Sequence, residues 1–124
     1  MQQLIAIAGG GALGAVLRFG MSTAVYRGLG RDFPYGTLAV NVLGSLLMGF
    51  IFVVLVERLA MSAEWRAALL VGLLGSFTTF STFSFETLAL FENGEPIKAL
   101  VNIMLSVFIC LLATWIGLSL GRQL

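Results

Sequence analysis

Gly72-Leu73-Leu74-Gly75-Ser76-Phe77-Thr78-Thr79-Phe80-Ser81-Thr82-Phe83-Ser84 lies in the middle of an apolar segment covering residues 67–91. Five hydroxyl side chains fall within positions 78–84, with Phe80 and Phe83 threaded between them. Gly72 and Gly75 precede them. Ser and Thr compete with a helix for backbone hydrogen bonds, and glycine and β-branched threonine weaken it. The stretch therefore predicts a helix broken near residues 75–79. In lipid, such a break survives only where protein or water satisfies the freed amides and carbonyls. Broken helices are also where membrane proteins hold ions. The other reading of the same residues is a helix–helix contact glued by small and hydroxyl side chains.

Composition sets the solvent. The chain has 124 residues, 59% of them hydrophobic and 10% charged, with a mean hydropathy of +1.02. A soluble domain carries about 25% charged residues. This chain has too few to solvate a globular surface and reads as an all-α integral membrane protein. At about 20 residues per span, it holds four spans in one domain, 1–124, at about 4–26, 36–56, 67–91 and 97–120. A net charge of +1 gives no reason to expect nucleic acid. There is no His, and the one Cys, Cys110, sits inside an apolar run. No disulfide within the chain and no zinc-type site is expected. The N-terminal run continues through Arg18 without an A-x-A-like cleavage pattern, so it reads as a retained span rather than a signal peptide.

Moving outward from the hydroxyl run, the first span carries Gly10 and Gly14, a G-x-x-x-G that lets another helix approach closely. The Gly9–Gly11 cluster resembles a phosphate loop, but no strand or Lys context supports that. Arg18 is costly inside a span unless it snorkels to the headgroups or lines a watery cavity at the mouth of an anion path. In the second span Thr37, Asn41 and Ser45 are four apart and share one helix face. Gly44 and Gly49 suggest close helix contact. Glu86 falls four residues after Thr82, either within the span or near enough to its end to reach the interface. In the fourth span Asn102, Ser106, Cys110 and Thr114 recur every four residues. They form a pore wall or a polar seam.

Positive loops orient membrane proteins, and here they hardly differ. Arg58, Arg66 and Arg122 fall on one side; Arg27, Arg31 and Lys98 fall on the other, with Arg18 nearest the latter. A chain without bias can insert both ways. That permits an antiparallel, dual-topology homodimer with a site near the midplane, the two-chain equivalent of an inverted repeat.

Three motifs then converge. Gly10-x-x-x-Gly14-Ala15-x-x-Arg18, Gly36-Thr37-Leu38-x-Val40-Asn41 and Gly75-x-x-Thr78-Thr79-Phe80-Ser81-Thr82-Phe83-Ser84 resemble the Fluc (CrcB) fluoride channels. The similarity runs over essentially the whole chain. It implies an antiparallel homodimer in the cell inner membrane with two pores, passively exporting fluoride and relieving its toxicity. It implies that Phe80 and Phe83 line each path, that Asn41 hydrogen-bonds the ion, and that Ser81, Thr82, Thr37, Ser106 and Thr114 belong to the polar track. Arg18 is expected in the vestibule. Carbonyls of Gly75 and Thr78 from both subunits are expected to hold a structural sodium ion on the two-fold axis. The chain departs from the family in having Ser76 where a second Gly is common, and Cys110 where a pore-facing Ser is common.

Two rivals share the four-span layout. A small dual-topology multidrug antiporter needs a carboxylate in the first span, whose only charge here is Arg18. A non-transporting membrane subunit would use its polar residues purely as glue. No nucleophile–base pair suggests an enzyme.

Overall fold

Gly30 stops the first helix with a left-handed turn, φ 86°, and its N–H donates back to the Tyr26 carbonyl at 2.8 Å. Glycine is the residue that adopts this turn at no steric cost. Asn93-Gly94 does the same at the other hairpin on that side, with Gly94 at φ 77°. Pro96, two residues further, opens the last helix where a missing N–H costs nothing. Between the second and third helices Ser62 caps the new helix, its Oγ accepting from the Trp65 N–H at 3.5 Å. These local signals divide the chain into four helices long and apolar enough to cross a membrane: Gln2–Leu29, Tyr35–Arg58, Ala63–Glu92 and Pro96–Gln123. The computed structural model describes residues 1–124, and they contain no strand.

Every helix outruns the apolar segment that marks it. The first and last have 28 residues each, about 42 Å at 1.5 Å per residue. The apolar run marks the hydrocarbon core, and the helix continues through the headgroup layers.

Glycine carries the closest approaches. A side chain at Gly10 or Gly14 would strike the backbone carbonyls of Ala68 and Leu73 on the third helix. One at Gly117 would strike the Leu46 carbonyl on the second, and one at Gly49 the Thr114 carbonyl on the fourth. The G-x-x-x-G pair thus serves as its spacing predicts, and so does Gly49. Gly72 meets the first helix within a run of π-helical turns, Ala67–Leu74, which leads into the break.

The interior mixes apolar side chains such as Val40, Val53 and Leu74 with glycines and a few polar groups, and the exterior is apolar. Gly14, Gly36, Gly44, Gly49, Gly117 and Asn102 are buried, while Leu4, Phe19, Phe85, Phe108 and Trp115 are exposed. Without a hydrophobic drive between helices in lipid, small residues that bring backbones together hold the bundle.

Gly117→Val should therefore overpack the crossing of the second and fourth helices. The expected loss is about 1–3 kcal/mol, read as a lowered melting temperature in detergent. Gly9→Ala, where nothing lies within 4 Å, should leave the melt unchanged or raise it.

Candidate functional site

The third span is two helices. Residues 63–77 form the first half and Phe80–Glu92 the second. Thr78 and Thr79 between them are extended, at φ −89°, ψ 157° and φ −151°, ψ 115°. The break falls inside the window expected from the sequence.

What fills the gap is Asn41, from the second helix. Its Nδ2 donates to the Thr79 carbonyl at 3.0 Å, and the Thr79 N–H donates to its Oδ1 at 2.7 Å. An amide offers one acceptor and two donors, so it pairs with an extended residue as a neighbouring strand would. The second hydrogen on Nδ2 is left uncommitted within the chain.

The hydroxyls of the run turn mostly to their own backbone. Thr79 Oγ1 accepts from the Thr82 N–H at 3.2 Å and so caps the second half-helix. It also meets Thr82 Oγ1 at 3.0 Å and Ser81 Oγ at 3.3 Å. Thr78 donates to the Leu74 carbonyl and Ser84 to that of Phe80. The Thr79 and Thr82 amides are thus diverted to side chains, and the carbonyls of Gly75 and Thr78 lack their helical partners. The Ser76 carbonyl is taken by Arg18 Nε at 3.0 Å.

Beside the break lies a half-open cavity of about 410 Å³. Asn41, Thr79, Phe80 and Phe83 line it, facing Ser106, Cys110 and Thr114 on the fourth helix. The Phe80 and Phe83 rings are 5.2 Å apart between centroids and tilted by 43°. Phe83 is 8% exposed and Phe80 75%. An amide, several hydroxyls and two aromatic rings share this space, and no carboxylate or ammonium lines it. A ring edge carries the positive part of the aromatic quadrupole, so such a lining suits a small anion without fixing it in place.

Not every expected residue reaches the cavity. Asn41, Phe80, Phe83, Ser106 and Thr114 meet there. Ser81 and Thr82 lie one step away, in the Thr79 cap. Thr37 is buried elsewhere, its hydroxyl donating to Glu86 Oε1 at 2.5 Å. Tyr26 donates to the other Glu86 oxygen at 2.9 Å, and Arg31 stacks on its ring at 4.5 Å. Glu86 is therefore tied by hydrogen bonds to the end of the first helix and the start of the second. Arg18 reaches the break, and Gly75 faces outward from the chain. The stripe on the fourth helix splits by function: Asn102 forms a seam with Thr87 at 2.9 Å, while Cys110 and Thr114 belong to the cavity wall.

Thr79 and Ser45 are named from the sequence without a site role for either, and Tyr26 is not singled out there. Thr79 was legible as a cap, since a Thr precedes the second half-helix. Ser45 was legible from its four-residue spacing with Asn41, and it lines the cavity. Tyr26 had no signal, because its partner Glu86 is 60 positions away.

A helical bundle with a broken third span, a donor-lined cavity at the break and a lipid-facing apolar exterior defines a multi-pass membrane protein built to hold or pass a small ion. The chain belongs to the CrcB family, described as CrcB-like protein, Camphor Resistance (CrcB), whose model matches residues 5–118. Among its relatives is a protein of Methylococcus capsulatus named fluoride-specific ion channel FluC, 60% identical over 121 residues. That match covers 98% of this chain but 53% of the relative, so the chain spans about half that protein's length. Proteins of the same name from Hydrogenovibrio crunogenus and Magnetococcus marinus are each 51% identical. Those matches cover 98% and 97% of this chain, and 92% and 98% of the relatives.

Asn41→Leu removes both partners of Thr79 and leaves its amide and carbonyl in a low-dielectric interior. The expected cost is about 1–3 kcal/mol for each orphaned group. Hydrogen exchange should show it as faster exchange confined to residues 78–82, while helix Pro96–Gln123 stays protected.

Proposed function

We propose that this chain is a fluoride-selective passive ion channel, exporting fluoride across the bacterial inner membrane and lowering its toxicity in the cytoplasm. The observation that carries the reading is the cavity at the break. Five residues expected on the ion path, Asn41, Phe80, Phe83, Ser106 and Thr114, line one space from three helices. The family membership and the names of its relatives favour fluoride as the ion.

The chemistry suits that ion. Fluoride is small and strongly hydrated, so a path must replace its water with donors. The Asn41 amide has a spare hydrogen, and the hydroxyls of Ser106 and Thr114, which donate to Asn102 Oδ1 and the Cys110 carbonyl, offer theirs on turning from those partners. Phe80 and Phe83 add ring edges and exclude larger hydrated ions. A lysine in the path would bind the anion and hold it; conduction needs the ion to leave. Ser81, Thr82 and Arg18 act beside the cavity, at the break, while Thr37 sits apart with Tyr26 and Glu86.

The working unit is an antiparallel homodimer with two pores. Phe80 is largely exposed in one chain, as is Gly75, and only 22 of 124 residues are buried. A second copy would cover these surfaces and complete the aromatic lining. The Gly75 and Thr78 carbonyls, without helical partners, suit a hard monovalent cation. A sodium ion held there would supply a fixed structural charge between subunits and would need no acidic ligand.

Liposomes holding only the purified protein should lose fluoride quickly and chloride slowly. Phe80→Ile and Phe83→Ile should each cut fluoride efflux at least about tenfold, a barrier increase of about 1.4 kcal/mol, while the proteins still fold. No fluoride efflux from folded parent protein would overturn the channel reading and leave a membrane subunit without transport. Unchanged efflux in both variants would overturn the aromatic path.

A further inference from the structure

We propose that Arg18 is a positioning residue for the cation site: it occupies the Ser76 carbonyl and sets how tightly the neighbouring Gly75 and Thr78 carbonyls hold sodium. This rests on the sodium reading above.

The argument starts on the first helix. Gly10, Gly14 and Arg18 are four apart and share one face. At Gly10 and Gly14 that face lies backbone to backbone on the third span, against Ala68 and Leu73. One turn further on, the same face delivers a guanidinium instead of a hydrogen. The two glycines fix the distance between the helices, so the Arg18 stem starts from a rigid base. Its Nε reaches the Ser76 carbonyl at 3.0 Å, the last but one residue before the break.

The selection among carbonyls is the informative part. Gly75 and Thr78 lose their helical donors because the Thr79 and Thr82 amides turn to side chains. Among the carbonyls of residues 75–78, that of Ser76 is the one with a charged partner. Arg18 has no carboxylate to neutralise it; the ion pairs of the chain are Lys98 with Glu95 and Arg122 with Glu57. Its remaining nitrogens make no hydrogen bond within the chain. An uncompensated cation therefore sits beside the carbonyls that suit another cation. In a half-buried setting, repulsion between two such charges is only partly screened. Arg18 thus removes one oxygen from the coordination shell and weakens the hold of the rest. A site between subunits then gains sodium when the dimer forms rather than on the separate chain.

The experiment is thermal unfolding of the full-length protein in detergent against sodium chloride, with choline chloride holding ionic strength constant. The parent should gain stability with sodium, with a measurable half-effect concentration. Arg18→Gln, which removes the charge, should lower that concentration at least about tenfold. Arg18→Lys keeps the charge but not the reach of Nε. It should stay within about threefold of the parent, while hydrogen exchange at residues 76–80 speeds up. If the parent gains nothing from sodium, the sodium reading fails and this proposal with it. If the parent responds but Arg18→Gln has an equal or higher half-effect concentration, the sodium reading stands and the role of Arg18 is overturned. Should Arg18→Gln not fold, Arg18→Lys decides alone: a half-effect concentration moved beyond threefold, or unchanged exchange, overturns the proposal.

Discussion

Two hydrogen bonds between the Asn41 side chain and the backbone of Thr79 hold the rest of the structure to its plan. An extended pair of residues inside a bilayer exposes amides and carbonyls that water cannot reach, and each orphan there costs several kcal/mol. Asn41 takes both polar groups of Thr79 at once. With that residue satisfied from outside the helix, Thr79 can turn its own hydroxyl to cap the following segment. The local residues make the break, and one side chain on a neighbouring helix satisfies it, beside the cap and the cavity wall. The glue reading of polar residues and the site reading are not alternatives at this position. The same amide that ties two helices together also shapes the cavity.

The glycines explain why that amide arrives at the right place. Backbones that touch at Gly10, Gly14, Gly49 and Gly117 leave little freedom for helices to slide. The first helix is fixed on the third, and the second on the fourth. Asn41 and Arg18 approach the break from opposite partners, one through each of these contacts. Position is set by small residues, and chemistry by the few polar ones between them.

The fold was largely legible because its signals are local. Apolar runs mark spans, Asn93-Gly94 and Pro96 mark a turn, and a run of hydroxyls after Gly75 marks a weak helix. The break could be placed to within a few residues, since Gly75, Thr78 and Thr79 all disfavour a helix there. The site was legible in part. Asn41, Ser106 and Thr114 stand out because polar residues are rare in these spans, and the motif resemblance singled out Phe80 and Phe83. Periodicity could not say which way a polar residue faces. Thr37 and Asn41 share a helix face, yet one meets Glu86 and the other the break. A helix face is wide, and the neighbour opposite changes from turn to turn. Tyr26 with Glu86, and Arg18 with Ser76, are pairings made only by the crossing of helices, which no single span records.

The break also divides one dipole into two. An unbroken third span would bury its peptide dipoles in series, with poles only at the membrane surfaces. Interrupting it at Thr78 and Thr79 creates two inner poles of opposite sign, a residue or two apart. The carbonyl pole of residues 63–77 ends beside Arg18, and the amide pole of Phe80–Glu92 begins at the cavity wall. One interruption therefore places a cation-favouring field and an anion-favouring field back to back at the same depth. Neither field requires an ionised side chain in the path. A shift of the break by one residue would turn both poles away from their surroundings together, so the cavity and the carbonyl cluster must change, or be kept, as a pair.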